Sequence, residues 1–290
     1  MSRRRAVATV TIAAACVAAA GCTSTVEGAA LASRGGGALT TTAAPTTSAA
    51  PAPAAAPAPS PWINIPSVPV AEPDDLGHAA FGRLPIPGVQ LRHQRADGDW
   101  RLCTLGPVVH SADGRLGFVT AGHCALPPGG GAEQYLQADR AGTDTLKLGT
   151  ASGAVDDDDS IDSAVVWTGQ YDPRATISSV GGHQVDRVMS EAEARKLPDG
   201  TPICIVGAVT GIKCSPLISA THAIQIGDFA SSDDAAAPGD SGGVVFVVNR
   251  DTQRAVLVGL VQRAGGISMA TYLEPALARL GAQAVTINDS

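Results

Sequence analysis

The chain has 290 residues and a formal net charge of −7, which falls to −10 once residues 1–21, carrying three arginines and no acid, are set aside. An acidic chain without a basic cluster is unsuited to nucleic acid or to anionic membrane surfaces, so neither is expected as a partner. Aromatics make up only 3% of the residues, so Val, Ile and Leu must fill the core, and those side chains favour strands.

The first five residues include Arg3, Arg4 and Arg5, and 6–20 form an uncharged apolar stretch too short to span a membrane. Together they read as an export signal over 1–22. The stretch ends in Ala19-Ala20-Gly21-Cys22. That ending resembles the bacterial lipobox, and the resemblance implies a lipid anchor on the Cys22 sulfur; the alternative is an ordinary secretory peptide with an incidental cysteine. Residues 23–77 are dominated by Ala, Pro, Thr, Ser and Gly, with almost no bulky side chain before Trp62. Such a segment cannot bury enough apolar surface to offset the entropy of ordering, so a disordered linker is expected. Its Pro-Ala run at 51–61 leans toward extended polyproline II, and docking of Trp62-Ile63-Asn64-Ile65-Pro66 is left open.

From residue 78 to 290 the texture is that of one domain of short strands and turns. Segments 102–109 and 116–120 flank Asp113-Gly114, a good hairpin pair. Further apolar runs fall at 163–168, 203–206, 223–226, 243–248 and 256–261. Ser190-Glu191-Ala192-Glu193 resembles a capping box that opens a short helix. Residues 273–280 read as a terminal helix stopped by Gly281. Many short strands without strand–helix alternation predict an all-β barrel architecture.

Of six cysteines, Cys16 lies in the signal and Cys22 is the lipid candidate. Cys103, Cys124, Cys204 and Cys214 remain, an even number that implies two disulfides with three possible connectivities. Local pairing, Cys103–Cys124 with Cys204–Cys214, is the simplest. No CxxC or Cys–His spacing suggests a metal, and none is expected.

Two segments carry chemistry. Ala237-Pro238-Gly239-Asp240-Ser241-Gly242-Gly243 offers a serine in a glycine-flanked turn, and Thr120-Ala121-Gly122-His123-Cys124 offers a histidine at a strand end. A serine hydroxyl is a weak nucleophile unless a base takes its proton, and flanking glycines free the backbone to aim N–H groups at an oxyanion. The pair needs an acid to orient the imidazole. Asp156-Asp157-Asp158-Asp159 is too self-repelling for that role and reads as a solvated turn. Asp162, in Ile161-Asp162-Ser163-Ala164-Val165-Val166, stands where a strand enters the core and is the expected acid. His78, His93, His110, His183 and His222 lack such a setting and read as surface or locally bonded residues.

Cys103-Thr104-Leu105-Gly106, 120–124, Asp162-x-Ala164-x-Val166, Cys204…Thr210-Gly211-x-x-Cys214 and Gly239-Asp240-Ser241-Gly242-Gly243 occur in that order. Over about residues 85–285 the chain resembles the chymotrypsin-fold serine proteases, nearest the bacterial streptogrisin and alpha-lytic branch. The resemblance implies two six-stranded antiparallel β-barrels with a cleft between them, a C-terminal helix, and the local disulfide pairing. It also implies His123, Asp162 and Ser241 as a triad, Gly239 and Ser241 N–H groups as an oxyanion hole, and Asp240 as support through an ion pair or hydrogen bonds. The pocket departs from the family. Ala237 stands where a cysteine is common, and the second wall reads Gly259-Leu260-Val261-Gln262-Arg263-Ala264. Ala235, Ala236 and Ala237 with Met269 would suit a small or medium apolar side chain, Gln262 and Arg263 would line or cap the pocket, and Asp234 would attract a basic one. No Ile-Val-Gly-Gly-like start is present to insert a freed amino terminus beside Asp240.

The expectation is an exported serine endopeptidase, tethered through Cys22, acting on peptide or protein without metal or organic cofactor. The alternative is a catalytically restricted or inactive protease-fold binding protein at the cell envelope, its pocket blocked by Gln262, Arg263 or Met269. A narrow esterase or a self-processing enzyme is the third reading.

Overall fold

The computed structural model describes residues 60–70, 81–94, 98–126, 133–157, 161–168, 179–227 and 234–289. The chain divides into Met1–Ala56 and Pro57–Ser290, and every described residue belongs to the second unit. The export signal with Cys22, the linker outside 60–70, His78, Asp158 and Asp159 all lie outside the described residues.

The unit begins with β1 (Trp62–Ile63), followed by seven strands: β2 (Gln90–Gln94), β3 (Trp100–Thr104), β4 (Val108–Ser111), β5 (Leu116–Thr120), β6 (Glu133–Gln137), β7 (Thr145–Asp156) and β8 (Asp162–Thr168). Then come β9 (Ser179–Val180), β10 (His183–Val188), the helix α1 (Glu191–Ala194), β11 (Pro202–Gly207), β12 (Gly211–Ser219), β13 (Ile224–Ile226), β14 (Val244–Asn249), β15 (Ala255–Arg263) and β16 (Ser268–Tyr272). Helix α2 (Leu273–Leu280) and β17 (Ala282–Ala284) follow.

The protein is all-β with a terminal helix. In the carboxyl-terminal half the order β14-β11-β12-β13-β16-β15 is closed by pairing of β14 with β15, which makes a six-stranded antiparallel barrel. Outside that ring, β1 adds to β14, and β10 pairs in parallel with β15. The amino-terminal half is an eight-stranded sheet, β17-β4-β5-β8-β7-β6-β2-β3, rather than a second ring of six. It curls back where the irregular backbone after β3 meets β5, with Gly106 N–H donating to Val119 O at 2.8 Å.

Three apolar clusters explain these runs. One fills the barrel, one fills the amino-terminal sheet, and one lies between them. Along β14, Val244, Phe246 and Val248 join the middle cluster while Val245 and Val247 enter the barrel. Successive strand residues face opposite sides, so a strand buried on both faces is apolar throughout. The single run expected at 102–109 is two strands. A Cβ on Gly106 would come within 2.4 Å of Val119 O and 2.7 Å of Gly242 O, so the chain bends there at close backbone contact.

The linker expectation is corrected over 60–70. Trp62 and Ile63 pair with Asn249 and Val248, Val68 bridges Ile212, and Ile63, Ile65 and Val68 pack on the middle cluster. The few apolar side chains in that segment find a sheet edge to cover, which offsets their ordering entropy.

Candidate active site

The site gathers at the seam between the two sheets. After β5 the chain enters a single 3-10 turn, Gly122–Cys124, which carries His123. Gly122 is required there because a Cβ would lie 1.8 Å from Val155 O. Cys124 is bonded to Cys103 at the end of β3, and Cys204 to Cys214 across β11 and β12. Cys103, Cys124 and His123 are the one cluster of three potential metal ligands among the described residues. Its two sulfurs are consumed by their own bond, so it does not hold a metal.

Asp162 opens β8 and is wholly buried. One carboxylate oxygen accepts the His123 backbone N–H at 2.9 Å, and the other lies 2.8 Å from His123 Nδ1. A carboxylate only accepts, so Nδ1 carries the hydrogen and Nε2 is left as a base. Burial acts most strongly on His123 and lowers its pKa, but the Asp162 hydrogen bond and charge, with Asp156 further off, outweigh it. Arg263 opposes them, and the net shift is upward from 6.5. Asp156 and Asp157 are exposed, and Asp157 accepts the Ile161 N–H.

Ser241 sits in the turn between the last residues of 234–240 and β14. Gly239 has φ of 106°, a conformation natural to glycine alone. Asp240 N–H donates to Ala237 O, Gly242 N–H to Val261 O and Gly243 N–H to Asp240 O. Among the described residues the N–H groups of Gly239 and Ser241 have no acceptor in the protein. Asp240 is wholly buried, and its carboxylate accepts from Ala237 N–H at 2.8 Å, Val209 N–H at 2.8 Å, Thr210 N–H at 3.1 Å and the Thr210 hydroxyl. Of the two forms of support expected for this residue, hydrogen bonds are the one present.

Thr104 carries a role that motif reading did not assign. Its N–H donates to Ser241 O at 2.7 Å, its hydroxyl donates to Gly239 O at 2.8 Å, and that hydroxyl accepts Ala208 N–H at 2.9 Å. One buried threonine therefore fixes the serine turn to both sheets. The only sequence signal was its place beside Cys103.

His123, Ser241 and Gly239 face a common cleft of about 670 Å³. Its walls include Trp100, Leu102 and Leu126, together with Arg101 and Arg263. Among the described residues no hydrogen bond joins Ser241 Oγ to the imidazole. Serine–base bonds in substrate-free sites are often long and tighten when substrate binds. His93, expected at the surface or locally bonded, is buried and lines the cleft, because its position on β2 turns it inward. His110 contacts Ser111 O, His183 contacts Gln253 O, and His222 is exposed.

Of the pocket residues, Arg263 borders the cleft. Ala235 and Ala236 are buried behind the serine turn, and Met269 is half-buried on β16 opposite Gln225. Asp234 is exposed, and Lys213 Nζ donates to its backbone oxygen. Gln262 is 3% exposed, and neither of its amide atoms has a partner among the described residues. The β15–β16 register passes from Val261↔Ala270 to Arg263↔Met269, which leaves Gln262 as the extra residue of a bulge.

Among solved structures the chain resembles the Nocardiopsis protease, at 19% identity over 70% of this chain and 99% of that one, with a TM-score of 0.46. It also resembles Thermobifida fusca protease A, at 21% identity over 70% and 98%, TM-score 0.47. A third is Cellulomonas bogoriensis chymotrypsin, at 22% identity over 70% and 98%, TM-score 0.46. No protein-family model matches the chain, and no curated protein is significantly similar to it.

Proposed function

We propose that the chain is an exported serine endopeptidase that works through His123, Asp162 and Ser241. The observation that carries this reading is the grip of buried Asp162 on both the backbone and Nδ1 of His123, beside a cleft that His123 shares with Ser241. Ser241 Oγ attacks the peptide carbonyl while His123 Nε2 takes its proton, and Asp162 compensates the imidazolium. The unbonded N–H groups of Gly239 and Ser241 receive the oxyanion, each donor contributing about 3 kcal/mol. The tetrahedral intermediate collapses as Nε2–H protonates the departing amine, and water repeats the sequence on the acyl ester.

A peptide or protein is the substrate. No helix among the described residues is long and apolar enough to cross a membrane. The proposed membrane attachment is through a lipid on Cys22, which mass spectrometry of the mature amino terminus checks. The two disulfides suit an oxidising compartment. The domain that acts runs from the strap at 60–70 to the carboxyl end.

Treatment with a fluorophosphonate probe tests the chemistry. Labelling at Ser241, absent in Ser241→Ala, is the expected result, and a folded wild-type protein that takes no label would sink the reading. Arg263 at the cleft wall favours a second reading, a restricted hydrolase or binding protein. Labelling without cleavage of any member of a peptide library would select it.

A further inference from the structure

The buried charge of Asp240 rests on neutral donors alone. Three of its four hydrogen bonds come from Val209 and Thr210, in the turn that joins β11 to β12, and the fourth from Ala237. No ion pair among the described residues involves Asp240. A buried carboxylate solvated by dipoles keeps its place only as well as those dipoles keep theirs. Asp240 lies between Gly239 and Ser241, so the pose of the 207–211 turn sets where both free N–H groups point.

That turn is held from outside by the strap at 60–70. Val68 N–H donates to Ile212 O at 2.9 Å, and Ile212 N–H donates back to Val68 O at 2.8 Å. The strap backbone lies directly over Gly211, where a Cβ would come within 2.3 Å of Val68 O and 2.9 Å of Val70 N. Gly211, at φ of 76°, follows Thr210 directly. At its other end the strap is fixed by the pairing with β14 and by Arg250 N–H donating to Pro61 O at 2.8 Å. Residues from outside the closed barrel thus reach within one residue of the donors to Asp240.

We infer that Val68 is a positioning residue of the serine turn: its backbone bridge to Ile212 holds the 207–211 turn against Asp240, and so sets the N–H groups of Gly239 and Ser241. A simple edge strand would contribute stability wherever it pairs. A positioning strap instead contributes to the reaction at Val68 and only to stability at β1. The two predict different responses at the two ends of one segment.

The inference rests on the serine-hydrolase reading, and the experiment separates their failures. In the full-length chain, Val68→Pro removes the N–H donor, Val68→Ala keeps the bridge, and Ile63→Ala weakens the strap at β1. The readout is fluorophosphonate labelling, resolved into a maximal rate and a half-saturating concentration. Val68→Pro is expected to lower the maximal rate on the order of 10- to 100-fold, as sub-ångström misplacement of reacting groups does, with the half-saturating concentration within about twofold. Val68→Ala is expected to restore the rate, and Ile63→Ala to lower Tm while leaving it unchanged. A folded Val68→Pro that labels at the wild-type rate overturns the inference alone. Wild-type protein that takes no label at Ser241 removes the hydrolase reading and the inference with it. Should Val68→Pro not fold, wild-type hydrogen exchange in sub-denaturing urea decides. Labelling should slow in step with exchange at 60–70, and labelling at the native rate while those amides exchange freely overturns the inference.

Discussion

The bond from His123 to Asp162 governs the pH window in which Nε2 is a free base. Burial by itself lowers the histidine pKa, and the Asp162 hydrogen bond and charge more than reverse it. The rate of Ser241 labelling should therefore rise with pH through a midpoint above the usual 6.5. Asp162→Asn leaves burial without its counterweight, so the midpoint should move below that of wild type, and the rate should fall on the order of 10⁴-fold as the tautomer is lost. A midpoint that stays in place in Asp162→Asn contradicts the assignment. Stability runs the opposite way. A pKa raised by folding stabilises the protonated form, a contribution complete below the unfolded value near 6.5 and lost as pH rises through the folded one. Its share of Tm should decline over the interval in which labelling accelerates. Gln262 makes a different statement at the same scale. Its amide is buried with neither end bonded among the described residues, and each unsatisfied group costs about 1–3 kcal/mol. Gln262→Leu should raise Tm by several degrees, at roughly 2–4 °C per kcal/mol for a chain of this size. A Tm that falls would show that the bulge requires the amide.

The turn from β11 to β12 is the element on which the serine segment leans, and its tightness is a glycine property. A Cβ on Gly207 would lie 2.3 Å from Asp240 Oδ1 and 2.4 Å from its Cγ. Gly207→Ala should therefore displace the carboxylate from Val209 and Thr210, lowering both Tm and Ser241 labelling; native labelling with native Tm would mean the turn yields without consequence. Elements that bury two faces were legible in advance. The runs at 116–120, 243–248 and 256–261 correspond to β5, β14 and β15, since strands between two clusters must be continuously apolar. The capping box was equally legible, with Ser190 and Glu193 exchanging their hydrogen bonds at α1, as was the α2 stop at Gly281 with φ of 62°. β7 was not, because its exposed face mixes Thr, Lys, Ser and Gly, nor was β12, which carries Pro216. At the candidate site, the meeting of His123 with Asp162 could be expected from flanking residues alone. Thr104 could not, because its work is done through hydrogen bonds to Gly239 and Ala208, more than 100 residues away in sequence. Nor could the strap, whose composition is that of a linker and whose order depends on an edge supplied by β14.

Both ends of the described chain brace the seam, one on each side of the candidate site. The strap supports the Ser241 side, while α2 crosses to the Asp162 side. Arg279, in the last turn of α2, donates to Ser163 O and Ser163 Oγ, both at 2.7 Å, and to Gly153 O at 2.5 Å. Ser163 follows Asp162, and Gly153 belongs to the neighbouring β7, so one guanidinium pins both strands where the acid enters the core. The chain then continues into β17, which pairs with β4 and closes α2 against the amino-terminal sheet. Burial lowers the Arg279 pKa by more than Asp157 raises it, and the guanidinium still keeps its charge at any working pH. Arg279→Ala leaves the Ser163 and Gly153 carbonyls without this donor and should destabilise the protein by about 1–3 kcal/mol. If the clamp also orients Asp162, the pH midpoint of Ser241 labelling should move toward lower pH, because a looser carboxylate holds the imidazolium less well. Arg279→Lys, one point donor in place of a fork, should recover part of the Tm and little of the midpoint. A lower Tm with an unmoved midpoint would make α2 a brace of the fold alone, since loss of packing changes stability without changing the proton affinity of His123.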